Sequence, residues 1–179
     1  MKIYEIEPNL EEFKYYLPDS ESPVISMLHT FDGRPLYKAW HQYEFELFTG
    51  KNKKEKSRRI DFNISCFTLG LLLISGELKE AVEGKLVNQV EFLPVTTSDG
   101  REFLFTNVIN VKKCIAADSW RDFNKMDIER SYRFHSISEG DMIFRDSVYS
   151  VNCFFTEKFA NFLGGLDIKG GRLTVVGEL

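Results

Sequence analysis

The apolar positions change period several times along the chain, and each change marks a predicted element. Residues 1–6 place Ile3 and Ile6 around Tyr4 and Glu5, enough alternation for a short first strand. Asn9 then reads as a helix cap: Leu10, Phe13 and Leu17 fall on one helical face, Glu11 and Glu12 occupy the first turn, and Pro18 stops the run. Residues 19–33 are loop-like around a short apolar piece, 24–28, and predict an irregular binding loop. Four of the five prolines (Pro8, Pro18, Pro23, Pro35) precede residue 36, so the first part of the chain is expected to wrap a core made later. Residues 36–48 are rich in aromatics, including Trp40.

The most regular stretch is 71–111. A continuous apolar run, 71–74, predicts a buried strand, with 60–64 a candidate strand before it. Ser75 caps a helix that turns Leu78, Ala81 and Val82 inward, and Gly84 is the expected left-handed end. Two strands over 90–97 and 102–111 are joined through Asp99-Gly100, a pair suited to a type I′ turn. Pro94 removes a ladder donor, so its strand is expected to be at an edge or bulged there. Residues 115–131 read as a polar excursion or short helix carrying Trp120 and Phe123. Residues 151–155 then form an apolar run, Thr156 is a cap, Phe159, Phe162 and Leu163 share a helical face before Gly164-Gly165, and 172–176 close the chain as a strand.

At a shift of 81 residues, Ser75, Leu78, Ala81, Val82 and Gly84 fall on Thr156, Phe159, Phe162, Leu163 and Gly165, while Phe92 and Val95 fall on Leu173 and Val176. Either a strand-helix-strand unit is duplicated or the same capping rules were used twice. The expected fold is α+β: a mixed, mainly antiparallel sheet with short packed helices, in a single domain over residues 1–179. Residues 1–59 form its N-terminal wrap.

Composition narrows the function. The chain carries 43% hydrophobic and 28% charged residues, within the globular range, and its 16 Phe imply a bulky aromatic core with a surplus for an interface. Net charge is -4, yet residues 51–59 hold six Lys/Arg against one Glu, which leaves the rest of the surface strongly acidic. Cys66, Cys114 and Cys153 are odd in number and widely spaced, and neither a leader-like start nor an apolar run of ~20 residues is present, so a reducing cytoplasmic setting is expected.

Searches for chemistry return little. His29, His41 and His135 are far apart and no cysteines are close, so no metal or other cofactor is expected. The three thiols sit among apolar neighbours, as packing residues do. Gly164-Gly165 and Gly170-Gly171 lack the strand, helix and Lys-Ser/Thr context of a phosphate loop. The 27 acids include no pair that the sequence singles out for hydrolysis. Trp120, in the charged context WRDF with Asp122, is a candidate partner contact, because tryptophan is enriched at binding hot spots.

Five blocks in order, LLLISGELKEAVEG, VEFLPV, FLFTNVINVKKC, DMIFR and CFFTEKFANFLGGL, are similar to an immunity-protein family of bacterial polymorphic toxin systems. It is the family numbered eleven in that classification, formerly known only as a domain of unknown function. The resemblance covers residues 60–179 and leaves 1–59, with the basic loop 51–59 and the aromatic segment 36–48, outside it. It implies a cytosolic protein without catalysis of its own that binds and neutralises a partner toxin, occluding or locking its active site. A basic nuclease would suit the acidic surface. The DMIFR block adds Asp141, Phe144 and Arg145 to Trp120 and Asp122 as candidate partner-binding residues, with Arg145 open to a buried structural reading as well. Two other classes stay in view: a nucleic-acid-binding accessory protein using residues 51–59, and an uncharacterised hydrolase. Membrane association is not expected.

Overall fold

The structure, a computed structural model, describes residues 1–27, 31–68 and 70–179. His29 and the end of the apolar piece 24–28 lie outside them. Along the chain the described elements are β1 (Lys2–Pro8), β2 (Tyr16–Pro18), α1 (Pro23–Met27), β3 (Glu44–Leu47), α2 (Lys53–Lys56), β4 (Ile64–Ser65), β5 (Leu73–Ser75) and α3 (Gly76–Val82). They continue with β6 (Val90–Thr97), β7 (Phe103–Val108), β8 (Val111–Lys112), α4 (Trp120–Glu129), β9 (Tyr132–Arg133), β10 (Ile143–Asp146), β11 (Phe154–Thr156), α5 (Glu157–Gly164) and β12 (Gly171–Glu178). The strands form two mixed sheets, ordered β8-β10-β11-β1-β12-β9 and β2-β3-β6-β7-β5-β4, so the fold is α+β.

The 81-residue periodicity is written into the strand register. In one sheet β7 lies antiparallel between β5 and β6; in the other β1 lies antiparallel between β11 and β12. Pro94↔Leu104, Leu93↔Phe105, Phe92↔Thr106 and Glu91↔Asn107 correspond pair by pair to Val175↔Tyr4, Thr174↔Glu5, Leu173↔Ile6 and Arg172↔Glu7. The flanking strands follow the same plan: Ile64↔Ile74 corresponds to Ile143↔Phe155, with Phe155 81 residues after Ile74 and Ile143 79 after Ile64, and β3 adds parallel at Thr96 and Thr97 as β9 adds parallel at Gly177 and Glu178. Five strands and one helix therefore repeat. The repeat is closed by the start of the chain, because β1 occupies the place that β7 holds in the other unit. Met1 and Leu179 exchange backbone hydrogen bonds at 3.0 Å.

Strand alternation sorts the apolar side chains into three cores. Leu72 just before β5, Ile74 within it, Phe155 of β11 and Ile6 of β1 meet Leu78 and Val82 of α3 and Phe159 and Leu163 of α5 in a central cluster shared by both sheets. The opposite face of the β5–β7 sheet, with Leu73, Leu93, Phe103 and Phe105, is covered by Phe13, Tyr16, Val24 and Phe31 of the N-terminal wrap. The opposite face of the β1 sheet, with Ile3, Phe144, Phe154 and Val176, is covered by Met126 of α4 with Cys114, Phe134 and Tyr149. Gly170, at φ +96, lets the two sheets approach: a Cβ there would sit 2.1 Å from the Ile64 carbonyl oxygen.

Several local expectations are corrected. No helix follows Asn9; the chain makes one turn and enters β2, because Phe13 and Tyr16 gain more burial beneath the sheet than an isolated two-turn helix provides. Residues 24–27, expected in an irregular loop, belong to the short helix α1, which buries Val24. Ser75 does cap α3, accepting from Leu78 N at 3.2 Å. The helix then tightens into a 3-10 turn through Gly84, and the left-handed residue is Asn88, with Ala81 exposed. Asp99 keeps a negative φ, so the hairpin is not type I′; its carboxylate instead accepts from Tyr16 Oη at 2.7 Å. Thr156 occupies the cap position of α5 but donates its hydroxyl to the Asp141 carbonyl at 2.8 Å. Pro94 lies on an interior strand, in a stretch that β3 leaves unpaired, and its carbonyl accepts the Trp40 indole N–H at 2.7 Å.

Candidate functional site

The residues marked for partner binding separate into a surface pair and a buried trio. α4 starts where Ser119 Oγ accepts from Asp122 N at 3.2 Å, and it stops at Arg130, whose left-handed backbone (φ 51) leads the chain into β9. Asp122 accepts from Asp118 N at 3.1 Å and Arg133 Nη2 at 2.6 Å, and these partners hold its carboxyl below the ordinary range. It is a helix-start anchor on the rim of the surface.

Trp120 is 62% exposed yet held in place. Beneath it Phe123 and Tyr149 stack at 3.8 Å with nearly parallel planes, and the indole stands edge-on to both rings, at 5.8 and 4.8 Å. Val148 adds exposed apolar surface from the turn that carries Tyr149, and Ile128 is 82% exposed farther along the helix. A large apolar side chain that is fixed before any partner arrives loses little entropy on binding.

Asp141, Phe144 and Arg145 are corrected as contacts, because all three are buried and Phe144 and Arg145 have no exposed surface. Phe144 packs edge-on to Phe134. Arg145 donates to the carbonyls of Ser150, Val151 and Gly70 at 2.7–2.8 Å and lies 4.9 Å above the Phe31 ring, tying β10 to two loops. Asp141 accepts from Lys112 Nζ at 2.6 Å, Ser138 N and Oγ at 2.8 Å and Asn110 Nδ2 at 3.0 Å. Burial works to raise its pKa, but these bonds outweigh it and hold the carboxyl at about 2. The blocks that carry the family resemblance thus supply β5–α3, β6, β7–β8, β10 and β11–α5, the frame rather than the surface.

Two features escape sequence reading. The first is a cavity of about 130 Å³ beside β1, lined by Glu5, Glu7, Arg130, Asn152, Cys66 and Cys153 among others. Arg130 pairs with Glu5 and, at 3.2 Å, with Glu7. Asn152 donates to Asp127 at 3.2 Å and to Tyr132 Oη at 2.6 Å. Burial pushes the Glu5 carboxyl up to about 7, opposed by Arg130 and reinforced by Asp127 and Glu7. The available signal was parity: Glu5 shares the buried face of β1 with Ile3. Burial also raises the thiols, Cys66 to about 12, so they are poor nucleophiles in this state.

The second is aromatic. Within residues 51–59 the exposed helix α2 spans Lys53–Lys56 and starts on a capping box between Asn52 and Glu55. Tyr15 stacks between Phe48 and Phe67, at 4.9 and 4.1 Å, and Arg59 lies 4.8 Å above the Phe13 ring, so rings absent from the basic segment itself are brought to it by the fold.

Among the described residues no three His, Cys, Asp or Glu side chains converge as a metal set, and no helix is long and apolar enough to cross a membrane. Compared with known proteins, the chain matches no family model and no curated protein.

Proposed function

We propose that this protein is an immunity protein: a cytoplasmic binding protein that neutralises a cognate bacterial toxin by covering or locking its active site, with no reaction of its own. The observation that carries the reading is Trp120, a rigid, exposed aromatic anchor seated on the Phe123–Tyr149 stack, with Val148 beside it and Asp122 at its rim. Anchors of this kind dominate binding energies, and the net acidic charge of the chain favours a basic partner. The test is co-purification with the product of the adjacent gene, together with rescue of cells that express it. Trp120→Ala is expected to weaken the complex roughly 30-fold or more, the loss typical of a hot-spot residue, while leaving the free protein folded. An unchanged affinity would remove Trp120 from the interface, and absence of both complex and rescue would remove the immunity reading.

A second reading is favoured by the aromatic stack beside α2: a nucleic-acid-binding accessory role through residues 51–59. Replacing the six basic residues with Gln or Ser, with nucleic-acid retention unchanged, would eliminate it.

A further inference from the structure

The repeat leaves β12 with a bare edge that its counterpart β6 does not have. β12 pairs with β1 from end to end, but on its other side β9 joins only at Gly177 and Glu178. Pro8, which has no N–H, stands opposite Gly171, and Asn9 N donates to the Gly170 carbonyl at 2.9 Å. The ladder bonds to β1 therefore fall at Gly170, Arg172 and Thr174, and the N–H and C=O groups of Leu173 and Val175 point away from it. Among the described residues no hydrogen bond is made to those four groups and no strand lies beside them.

In the other unit the same edge is closed. Val175 falls on Pro94, which has no N–H to offer and whose carbonyl accepts the Trp40 indole N–H at 2.7 Å. Farther along, the Tyr43 carbonyl takes the N–H of Thr96 at 3.0 Å. No segment plays these parts for β12, because α4 turns at the left-handed Arg130 directly into β9. An open groove of about 490 Å³ lies there instead, bordered by Val175, Ser131 and Arg133, and Val175 is 44% exposed. A free strand edge is a template for another strand, and proline is one of the devices that block it.

We propose that β12 is a strand-addition site for an extended segment of a partner protein, apolar on one side and acidic on the other. Length and side-chain order select this occupant. The free stretch runs from Gly171 to Val175, about 17 Å, and ends where Ser131 leads into β9. Alternate residues of an added strand fall on opposite faces. One face meets the part-buried Leu173 and the exposed Val175. The other meets Thr174 and Arg172, which is more than half exposed and has only the exposed Glu11, at 3.8 Å, as an ion partner among the described residues. Valine or isoleucine suits the first face and glutamate the second. A second copy of this chain is the poorer occupant, because so short a ladder buries too little surface for a stable dimer. The inference goes beyond the immunity reading and stands whether or not the partner is a toxin.

The experiment is amide hydrogen exchange and two-dimensional amide NMR of the whole chain, alone and with the blocked peptide acetyl-Thr-Val-Glu-Val-Glu-Val-Thr amide. Alone, the Leu173 and Val175 amides should exchange at least tenfold faster than those of Arg172 and Thr174 in the same strand. The peptide should give saturable shifts at Leu173 and Val175 and slow their exchange at least tenfold. The same peptide N-methylated at its valines, or with lysine in place of glutamate, should do neither. Val175→Pro copies Pro94 into the matching place, leaves the β1 ladder intact and is expected to abolish binding. Arg172→Glu is expected to weaken binding at least tenfold, and it serves if the proline variant does not fold. Slow exchange of both amides in the free protein, no saturable response to the peptide, equal binding of either control peptide, or unchanged affinity in the variants would overturn the proposal. Protection that appears only as the protein itself is concentrated would assign the edge to a second copy and overturn it likewise.

Discussion

Replacing Asp146 by Asn should be among the most damaging isosteric changes available to this chain. Asp146 ends β10 with no exposed surface, and its carboxylate accepts four backbone N–H bonds: Oδ2 from Cys114 and Ile115 at 2.8 Å each, Oδ1 from Val148 at 2.7 Å and Tyr149 at 2.9 Å. Burial opposes its ionisation, but those four bonds prevail and keep the carboxyl below the ordinary range. An Asn keeps one acceptor oxygen for one pair of donors and turns an NH2 toward the other pair. Two bonds to a charged group are lost, at roughly 1.5–3 kcal/mol each, so Asp146→Asn should cost about 3–6 kcal/mol. For a chain whose whole stability is expected within about 5–15 kcal/mol, that is a large share. Urea denaturation at pH 7, followed by circular dichroism with the slope held common, measures it. The same change should reach the surface, because Tyr149 positions Trp120, and tryptophan emission of the folded variant should shift. A variant within about 1 kcal/mol of the parent would show that the 114–115 and 148–149 backbones do not depend on this carboxylate, and the estimate would fail.

Two further predictions concern acid–base linkage and topology. Glu5 is raised from 4.5 to about 7 in the folded state, so the folded protein holds that proton more tightly than the unfolded chain does. The stability it contributes is fully present below pH 4.5 and is lost as pH rises through 7, about 3 kcal/mol over that window, and Glu5→Gln should flatten this part of the pH–stability curve. Asp141, held at about 2, acts with the opposite sign: its contribution is present above pH 3.8 and disappears as pH falls toward 2. A wild-type curve with no decline between pH 4.5 and 7.5 that also matches the Gln variant would contradict the Glu5 assignment. Joining Leu179 to Met1 through a short Gly-Asn turn and opening the chain after the exposed Ser136 would make the β1 unit nearly continuous in sequence. Such a permutant should keep the parent's circular dichroism and lie within about 2 kcal/mol of its stability. A molten or aggregated product would mean that β1 must lead the chain for the sheet to form.

The surface of the candidate site was legible where one residue was out of keeping with its neighbours. Trp120 in a polar segment pointed outward, and it is outward; the Ser119 cap and the left-handed Arg130 around it were equally local features, passed over in a segment read as excursion or helix. Asp141 and Arg145 misled because a charged residue usually means solvent, whereas here each is held in the interior by hydrogen bonds that include a distant partner, Lys112 29 residues from Asp141 and Gly70 75 residues from Arg145. Glu5 was visible only as a break in strand parity, and the cavity around it is assembled from residues that no spacing rule connects.

Short-range rules settled what they physically control. The apolar runs, the Ser75 cap, the strands on either side of Asp99-Gly100 and the recurrence 81 residues later follow from backbone preference and side-chain periodicity, which act over a few residues. Tertiary packing decided the rest. It overruled the helix after Asn9, carried β1 into the place of a missing last strand, buried Arg145 and Asp141, and brought Tyr15, Phe48 and Phe67 beside the basic helix. Each of those outcomes balances burial and hydrogen bonding among distant segments against a weak local preference, and only the folded arrangement contains that balance.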